Sequence, residues 1–349
     1  MSHPQAVRFR EQARGCRNLG SRMYDELLRR VADDLDAGGP AVAVLAGHEE
    51  DPGPSGLALR LLGSVHRLVL ERRAGALAAY YPTVGGSWGL DAAWPVFRGL
   101  LAAQPEAVRE WLDRPPQTNE VGRSTALMTG LLDAGRQRPL PVRLFEIGSS
   151  GGLNLLFDRF RYAGPGGSLG PDASPVVLDP AWTGAPPAGV VPQVVERLGS
   201  DVMPIDVRST EGRLALTAYV WPDQVARFER LRGAFALASA TPYDVRKEGA
   251  GDFVDAMSLR PGTRTVLWHS VMWQYLPREE QERILARLDH LGSTAGDASP
   301  LVHLSAEPTR RTPDSPHEFL VCAHHWPGDG ERRILGTMAP HGLPVTVER

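Results

Sequence analysis

The feature that most constrains the fold is a glycine-rich loop between two apolar segments, within the stretch Val142–Tyr162 (VRLFEIGSSGGLNLLFDRFRY). An apolar run ends at Glu146, glycines follow at positions 148, 151 and 152, and an amphipathic segment that predicts a helix comes next. A strand, a glycine turn and a helix in this order let a nucleotide-like ligand lie against the strand end, beside helix amides. The sequence therefore predicts an α/β sheet with a ligand site at the end of its first strand.

Composition narrows the class of protein. Of the 349 residues, 42% are hydrophobic and 23% are charged, which is typical of folded globular chains. There is no run of about 18 apolar residues and no hydrophobic signal core at the N-terminus, so we expect no membrane partner and a cytoplasmic location. The net charge of -3 leaves no basic surplus for a nucleic-acid backbone. A small-molecule substrate is therefore expected, and the oligomeric state is left open.

No metal site is expected. The two cysteines, Cys16 and Cys322, are far apart and have neither metal-ligand nor disulfide spacing. His324 and His325 are neighbours in a strand-like run, so their rings would point to opposite faces and could not easily share one metal ion.

The spacing of apolar residues changes near position 140. Helical spacing before it predicts a helical domain over 1–140, and short apolar runs alternating with helical segments predict a helix-covered parallel sheet over 141–349. A stretch rich in glycine, proline and alanine, about 164–190, indicates an insertion in this second domain. The helical segments include Ser21–Leu35, Leu57–Ala79, Trp94–Leu112, Pro222–Ala238 and Gln281–Leu291. The strands are Arg143–Ile147, Thr263–Trp268 and Pro300–Ser305, with less regular ones at Gln193–Leu198 and Asp244–Lys247.

The chain ends in a predicted antiparallel hairpin. The runs His317–Trp326 and Arg332–Met338 are joined by Pro327–Glu331 (PGDGE), in which the Asp-Gly pair is a hairpin signal. An α/β sheet closed by such a hairpin resembles the arrangement of class I methyltransferases. We therefore predict a Rossmann-like sheet of this class, preceded by an all-α N-terminal domain.

The loop itself resembles motif I of class I S-adenosylmethionine-dependent methyltransferases, an acidic residue followed by G-x-G-x-G. The string here runs from Glu146 to Gly152 (EIGSSGG), with Ser150 where the middle glycine is usual. The resemblance implies S-adenosylmethionine as the cofactor, with Glu146 at its methionine end. Gly148, Ser150 and Gly152 would support the adenosyl part. Asn154 follows the loop and is a further candidate contact.

Two later aspartates would complete the cofactor site that this resemblance implies. Asp201, in RLGSD, follows a short apolar run and is the candidate for the ribose hydroxyls, with Asp206 as the alternative. Asp252, in EGAGD, follows the third predicted sheet strand and is the candidate near the adenine. Each of them is otherwise explained as a solvated loop residue or a helix cap.

The segment after the strand Thr263–Trp268 continues as HSVMWQY, and ligands bind at such strand ends in open α/β sheets. His269 is the candidate catalytic base, because imidazole titrates near neutral pH, and a packed core histidine is the alternative. Trp273 and Tyr275 are candidates for the wall that contacts cofactor and substrate, and core packing is the alternative, since it is the commoner role of aromatic residues at this spacing. The Asn/Asp-Pro-Pro-Tyr motif of amide and adenine N-methyltransferases is absent, which argues against those substrates.

A polar block just before the sheet, QTNEVGRS (117–124), is dense in groups that form directional hydrogen bonds. Asn119 and Arg123 are candidate substrate contacts, and Glu120 is a candidate catalytic carboxylate. Glu307, just beyond a predicted strand, is another candidate substrate contact. For the block, the alternative is a helix cap with a satisfied polar network.

Several blocks together carry a second resemblance: QTNEVGRS, LFEIGSSGGLN with FDRFRY, RLGSD, YVWPDQ and WHSVMWQYL. In this order they resemble an uncharacterised bacterial family defined only as a domain of unknown function, over nearly the whole chain. The resemblance implies boundaries and no reaction, and it adds Asp158 to the residues of interest.

Two other functions fit the same loop. It matches G-x-S-x-G, the nucleophile elbow of α/β-hydrolases, with Ser150 as nucleophile and with Asp255 and either His269 or His341 completing a triad. Glu146 would have no role in such a serine esterase or amidase. A non-catalytic protein that binds the cofactor in a regulatory role is the third possibility. The interpretation we prefer is a methyltransferase for a small-molecule oxygen or nitrogen acceptor, with the helical domain as a lid.

Overall fold

The computed structural model describes residues 3–52, 55–114, 116–136 and 138–348, which divide into two compact units. One unit comprises the residues up to Thr118 together with Ser209–Glu229. The other comprises Asn119–Arg208 together with the residues from Arg230 onwards. Within the described ranges, no helix combines the length and the apolar character needed to cross a membrane.

The first unit is helical, as the spacing of its apolar residues predicts. Its helices, numbered in chain order, are α1 (Pro4–Asn18), α2 (Arg22–Asp36), α3 (Pro40–Leu45), α4 (Leu57–Leu70), α5 (Gly75–Ala78), α6 (Leu90–Ala103), α7 (Pro105–Arg109) and α9 (Thr210–Ala218). The division between the two units falls within α10 (Val225–Ala240). Two side chains define the start of α2. The Ser21 hydroxyl accepts a hydrogen bond from the Tyr24 amide, and the Asp223 carboxylate accepts one from the Met23 amide.

The second unit is built on an eight-stranded sheet. Its strands are β1 (Val142–Ile147), β5 (Val194–Asp201), β6 (Asp244–Lys247), β7 (Arg264–Ser270), β8 (Leu301–Arg310), β9 (His317–Trp326), β10 (Arg333–Met338) and β11 (Val345–Val347). They lie in the order β11-β10-β9-β8-β7-β1-β5-β6. The five strands from β8 to β6 are parallel, and β9, β10 and β11 are each antiparallel to the strand before them. The helices of this unit include α8 (Ser124–Gly135), α11 (Ala250–Asp255) and α12 (Arg278–Ser293).

β1 lies between β5 and β7, and all six of its residues are buried. That burial explains its continuous apolar run, because strands of a parallel sheet are covered on both faces. From β1 the chain builds outward to β5 and β6 on one side, and later to β7 and β8 on the other. In open α/β sheets a ligand binds at such a reversal, outside the carboxyl ends of the central strands. The ends of β1 and β7 therefore mark the place where a site is expected.

The change of apolar spacing predicts a domain boundary near position 140, and the second unit begins earlier, at Asn119. Helix α8 accounts for the difference, because it packs on β8 and β9 of the sheet. Gly130 of α8 lies so close to Leu304 of β8 that a Cβ atom there would be 2.6 Å from the Leu304 side chain. The helix is thus part of the layer that covers the sheet.

The C-terminal hairpin predicted from the Asp-Gly turn is present as β9 and β10. The insertion forms a small sheet of three strands, β2 (Arg161–Gly164), β3 (Gly167–Leu169) and β4 (Val177–Leu178). The segment Ala181–Thr183, which follows β4, pairs with the edge strand β11. The Val345 amide donates to Ala181 O at 2.8 Å, and the Thr183 amide donates to Val345 O at 3.1 Å. Trp182 Nε1 donates to Thr129 Oγ1 of α8 at 2.9 Å, so the insertion is fastened to the body of the unit.

The segment after the glycine loop differs from the prediction. The predicted helix is present as a 3-10 helix of seven residues, Leu153–Arg159, and the chain then enters β2. Phe160 and Tyr162 are fully buried two positions apart, which is strand spacing. Asp158 pairs with Arg197 of β5 through both carboxylate oxygens, each at 2.7 Å. These tertiary contacts override the helical pattern of the sequence.

Candidate functional site at the carboxyl ends of the parallel strands

The glycine loop after β1 passes through left-handed backbone at three positions, with φ of 64° at Gly148, 54° at Ser150 and 71° at Gly152. The two glycines are also in close contact with protein atoms. A Cβ atom at Gly148 would lie 2.8 Å from Met272 Cγ, and one at Gly152 would lie 2.6 Å from the Tyr243 ring. Backbone conformation and packing therefore both require glycine at these positions, and protein side chains occupy the space beside them.

Three backbone amides of this loop are bonded to side-chain oxygen atoms. The Ser150 amide donates to Asp201 Oδ2 at 2.9 Å. The Gly151 and Leu153 amides both donate to Asn119 Oδ1, at 3.1 and 2.9 Å. Unbonded amides in a loop of this kind would attract a phosphate group. Because Asn119 and Asp201 take these three amides, and Asp201 is acidic, the loop is poorly suited to phosphate.

Glu146, near the end of β1, is only 2% exposed. Its Oε2 atom has no hydrogen-bond partner among the described residues. Burial raises the pKa of Glu146 to about 8, and the nearby charge of Asp201 acts in the same direction. Asn154, Trp268 and Arg123 act in the opposite direction. A buried carboxyl group with one unpartnered oxygen can hold a proton, an ammonium group or a hydroxyl donor.

The other predicted cofactor contacts differ in whether they bond to this loop and in how far they are buried. Asp201 ends β5 and contacts the loop, and its Oδ1 also accepts the Met203 amide at 2.8 Å. Asn154, in the 3-10 helix after the loop, is buried and accepts the Ser124 hydroxyl at 2.7 Å. Asp206 is exposed and accepts a backbone amide two residues further on, at 2.9 Å. Of the two aspartates considered for the ribose, Asp201 is the one bonded to the glycine loop.

His269, on β7, is buried, and both of its ring nitrogens are engaged. Nδ1 lies 2.8 Å from Glu307 Oε1, and Nε2 lies 2.9 Å from His303 Nε2. The same Glu307 oxygen accepts the backbone amides of Met272 and Trp273, at 3.1 and 3.3 Å. That oxygen is thus an acceptor, and His269 Nδ1 donates to it. Since neither nitrogen remains for a substrate, His269 is held in a fixed polar chain and is not placed as a free base.

His303 is also part of this series of hydrogen-bonded side chains, and the sequence analysis did not single it out. It lies on β8, directly opposite His324 on β9, with 5.2 Å between the ring centroids. Burial, with smaller contributions from His269 and His324, holds the pKa of His303 well below its usual range. His303 is therefore neutral at physiological pH. A single histidine in an apolar strand carries no motif, and only the register of β7, β8 and β9 brings the three rings together.

The two aromatic candidates after β7 differ in position. Trp273 is half-buried and stacks on the His269 ring, with centroids 4.8 Å apart and planes 20° apart. Tyr275 ends the 3-10 helix Trp273–Tyr275 and is 62% exposed. Trp273 therefore belongs to the cluster of His269 and Glu307, whereas Tyr275 lies at the surface.

The polar block before α8 acts on its own backbone and on the glycine loop. Glu120 is buried, and its Oε1 accepts the Gly122 amide at 3.1 Å, which caps the 3-10 helix Val121–Arg123. Arg123 Nη1 lies 3.5 Å from the carbonyl oxygen of Ser270, at the end of β7. The cap and the Asn119 contacts correspond to the helix-cap alternative for this block.

Asp252 lies apart from these contacts. It is exposed on α11 and pairs with Arg283 of α12 at 2.7 Å, and Asp255 bonds to the same guanidinium at 2.9 Å. Ser150 Oγ is buried and has no hydrogen-bond partner in the described part of the chain. The structure therefore does not assemble Ser150, Asp255 and His269 into a triad.

Tyr243 is a second residue that the sequence did not indicate. Its hydroxyl donates to the carbonyl oxygen of Gly151 at 2.9 Å, and the Arg208 guanidinium lies 5.1 Å from its ring centroid. Burial raises the pKa of Tyr243 to about 12, so its hydroxyl keeps its proton and remains a donor. Because Tyr243 precedes the edge strand β6, nothing in the local sequence relates it to the loop.

In the described ranges, no group of three or more His, Cys, Asp or Glu side chains is arranged to hold a metal ion.

The comparisons with known proteins concern the chain as a whole. No curated protein matches the chain, and no solved structure matches it. One family model matches residues 6–346, which is nearly the full length. The chain therefore belongs to the family described as "Uncharacterized protein conserved in bacteria (DUF2332)".

Proposed function

We propose that this chain binds S-adenosylmethionine at the carboxyl ends of β1, β5 and β7 and methylates an oxygen or nitrogen atom of a small molecule. One observation carries the proposal. The amides of Ser150, Gly151 and Leu153 are taken by protein oxygens, while the buried carboxyl of Glu146 keeps an unpartnered oxygen. A nucleotide bound through phosphates needs free loop amides, whereas a cofactor with an ammonium group and ribose hydroxyls needs carboxylates.

The sheet supports a ligand at this place. The parallel strands run β6-β5-β1-β7-β8, and their order reverses between β1 and β7, as in dinucleotide-binding α/β folds. The antiparallel hairpin of β9 and β10 then extends the sheet beyond β8, as the Asp-Gly turn predicts. The position of the glycine loop at the carboxyl ends of these parallel strands supports the proposal.

The residues at these strand ends fit the cofactor by their chemistry. Glu146 would hold the ammonium group of the methionine part and would lose its proton as that positive charge approaches. Asp201 would accept the ribose hydroxyls, because each carboxylate oxygen can accept more than one hydrogen bond. Asn119 and Tyr243 would keep the loop in place beneath the ligand. S-adenosylmethionine, when bound, supplies an electrophilic methyl group.

In this proposal the residues orient the reactants, and we assign no proton transfer to His269 or Glu120. Both nitrogens of His269 and one carboxylate oxygen of Glu120 are engaged within the protein. Alignment of a bound acceptor with the methyl group, and exclusion of water from that contact, would supply the rate enhancement.

Isothermal titration with S-adenosylmethionine and S-adenosylhomocysteine tests the proposal. We expect both to bind the wild-type protein, Glu146→Ala and Asp201→Ala each to weaken binding, and ATP and NAD to bind poorly. Glu282→Ala is a matched control, because it removes an exposed acid on α12 whose side chain is 63% exposed. Absence of detectable binding of either cofactor form at millimolar concentration would overturn the proposal.

A serine hydrolase is the second candidate, and the backbone at Ser150 favours it. A non-glycine residue with φ of 54° after a strand is typical of the nucleophile elbow. The unpartnered Ser150 hydroxyl argues against it, because an activated serine needs a base within hydrogen-bonding distance. Ser150→Ala separates the two candidates. A hydrolase would lose essentially all turnover of ester or amide substrates, while a cofactor loop should keep its affinity for S-adenosylhomocysteine.

A further inference from the structure

One oxygen atom collects three hydrogen bonds near the proposed site. Glu307 Oε1 accepts the His269 ring and the backbone amides of Met272 and Trp273, at 2.8, 3.1 and 3.3 Å. The donors all lie at or after the end of β7, whereas Glu307 lies on the neighbouring strand β8, and it is 7% exposed. A single buried carboxylate therefore joins the two strand ends.

The segment that Glu307 holds is a turn in an unfavourable conformation. Val271 has φ of 51°, in left-handed backbone that β-branched residues rarely adopt. The turn is fixed by the Val271 amide, which donates to Ala306 O at 3.1 Å, and by the two amides bonded to Glu307. Because the local sequence does not favour this backbone, the surrounding contacts must impose it.

The turn meets the glycine loop directly. Met272 is packed against Gly148, so closely that a Cβ atom at Gly148 would lie 2.8 Å from Met272 Cγ. Trp273, the next residue, stacks on the His269 ring. A shift of this turn would therefore move one wall of the loop that follows Glu146.

We infer that Glu307 is a positioning residue of the ligand site, whose carboxylate holds the Val271–Trp273 turn against Gly148. The identity of the ligand rests on the proposed function, and the contact between the turn and Glu307 does not. In this role Glu307 acts through Met272 and Trp273. The sequence made Glu307 a candidate substrate contact, and the role inferred here rests on its Oε1 atom alone.

The test compares Glu307→Ala and Glu307→Gln with the wild-type protein in three measurements. Hydrogen exchange at the Met272 and Trp273 amides reports the turn. Trp273 fluorescence, isolated by subtracting the spectrum of a Trp273→Phe variant, reports the stacking on His269. Titration with S-adenosylhomocysteine reports the site. Glu282→Ala, which removes an exposed acid elsewhere in the unit, is the control.

For Glu307→Ala we expect faster exchange at both amides, a changed Trp273 spectrum and an affinity lower by about tenfold, as charge-assisted hydrogen bonds are lost. Glu307→Gln keeps an acceptor oxygen and should restore most of the wild-type exchange. It also keeps the inference testable if the alanine variant does not fold. Wild-type exchange and fluorescence in both variants would overturn the inference. Altered exchange with unchanged affinity would also overturn it, because the turn would then not shape the site.

Failure of the proposed function gives a different result. If the wild-type protein does not bind S-adenosylhomocysteine, the cofactor assignment is overturned. The exchange and fluorescence measurements then decide by themselves whether Glu307 holds the turn.

Discussion

The carboxamide oxygen of Asn119 accepts the backbone amide of Gly151 at 3.1 Å, so a residue outside the glycine loop fixes the loop's conformation. The same oxygen accepts the Leu153 amide at 2.9 Å. A loop held in this way is shaped before any ligand arrives. A ligand should therefore pay little entropy for ordering it.

Asn119→Ala should destabilise the second unit. The change leaves the buried Gly151 and Leu153 amides without acceptors, and each such group costs about 1–3 kcal/mol. Urea unfolding should show a lower free energy of unfolding, and Asn119→Asp, which keeps an acceptor oxygen, should recover part of it. Equal stability of the alanine variant and the wild-type protein would show that these bonds are not maintained in solution.

Glu146→Gln should change the pH dependence of stability. The folded protein holds a proton on Glu146 up to a pKa of about 8, whereas an ordinary glutamate loses it near 4.5. Between these values the folded state binds more protons than the unfolded state, so wild-type stability from this group falls as the pH rises. The variant lacks this slope, and its stability relative to the wild-type protein should rise by a few kcal/mol over that interval, since one pKa unit is worth about 1.4 kcal/mol. A difference that is constant from pH 4.5 to 8 would contradict the assignment.

Gly152→Ala should be among the most damaging single changes in the loop. The backbone there is left-handed, with φ of 71°, and the new Cβ atom would lie 2.6 Å from Tyr243 and Val245 atoms. We expect a loss of roughly 1–3 kcal/mol from backbone strain, and more from the displaced neighbours. Gly99→Ala in α6 is the matched control. That glycine is helical with nothing within 4 Å of a new Cβ, so the change should raise the melting temperature.

His66 should govern part of the acid unfolding of the first unit. It is fully buried, with Nδ1 at 3.0 Å from Ala218 O and Nε2 at 2.8 Å from Thr83 Oγ1, and burial lowers its pKa to about 4. Between pH 6.5 and 4, His66 binds a proton in the unfolded protein and stays neutral in the folded protein. Stability is therefore lost as the pH falls. His66→Gln should flatten this limb of a stability–pH curve. The exposed His290→Gln should leave it unchanged.

The sequence predicts which residues lie together at the carboxyl ends of the strands. It does not predict the hydrogen bonds that join side chains of different strands and segments. Glu146, Ser150 and Asp201 follow or end predicted strands, and the carboxyl ends of parallel strands share one edge of a sheet. The bonds of Asn119 to the loop and of His269 to His303 depend on register and on the path of a distant segment. No local pattern encodes either of them.

The differences between the prediction and the structure have the same origin. The segment after the loop has apolar residues at helical spacing, yet the burial of Phe160 and Tyr162 and the ion pair of Asp158 with Arg197 impose a 3-10 turn and a strand. His269 has the residue type of a base and the position of one. The two residues that its ring nitrogens contact, Glu307 and His303, lie on another strand and could not be related to it from the sequence.

The strip Ala181–Thr183 has a consequence for how this protein behaves in a crowded solution. It pairs with β11 at one end of the eight-stranded sheet, where an uncovered strand would present a row of amides and carbonyls to other molecules. We therefore expect the insertion to hinder edge-to-edge association of two molecules at this strand. A chain shortened there should aggregate into β-rich assemblies while its individual molecules are still folded.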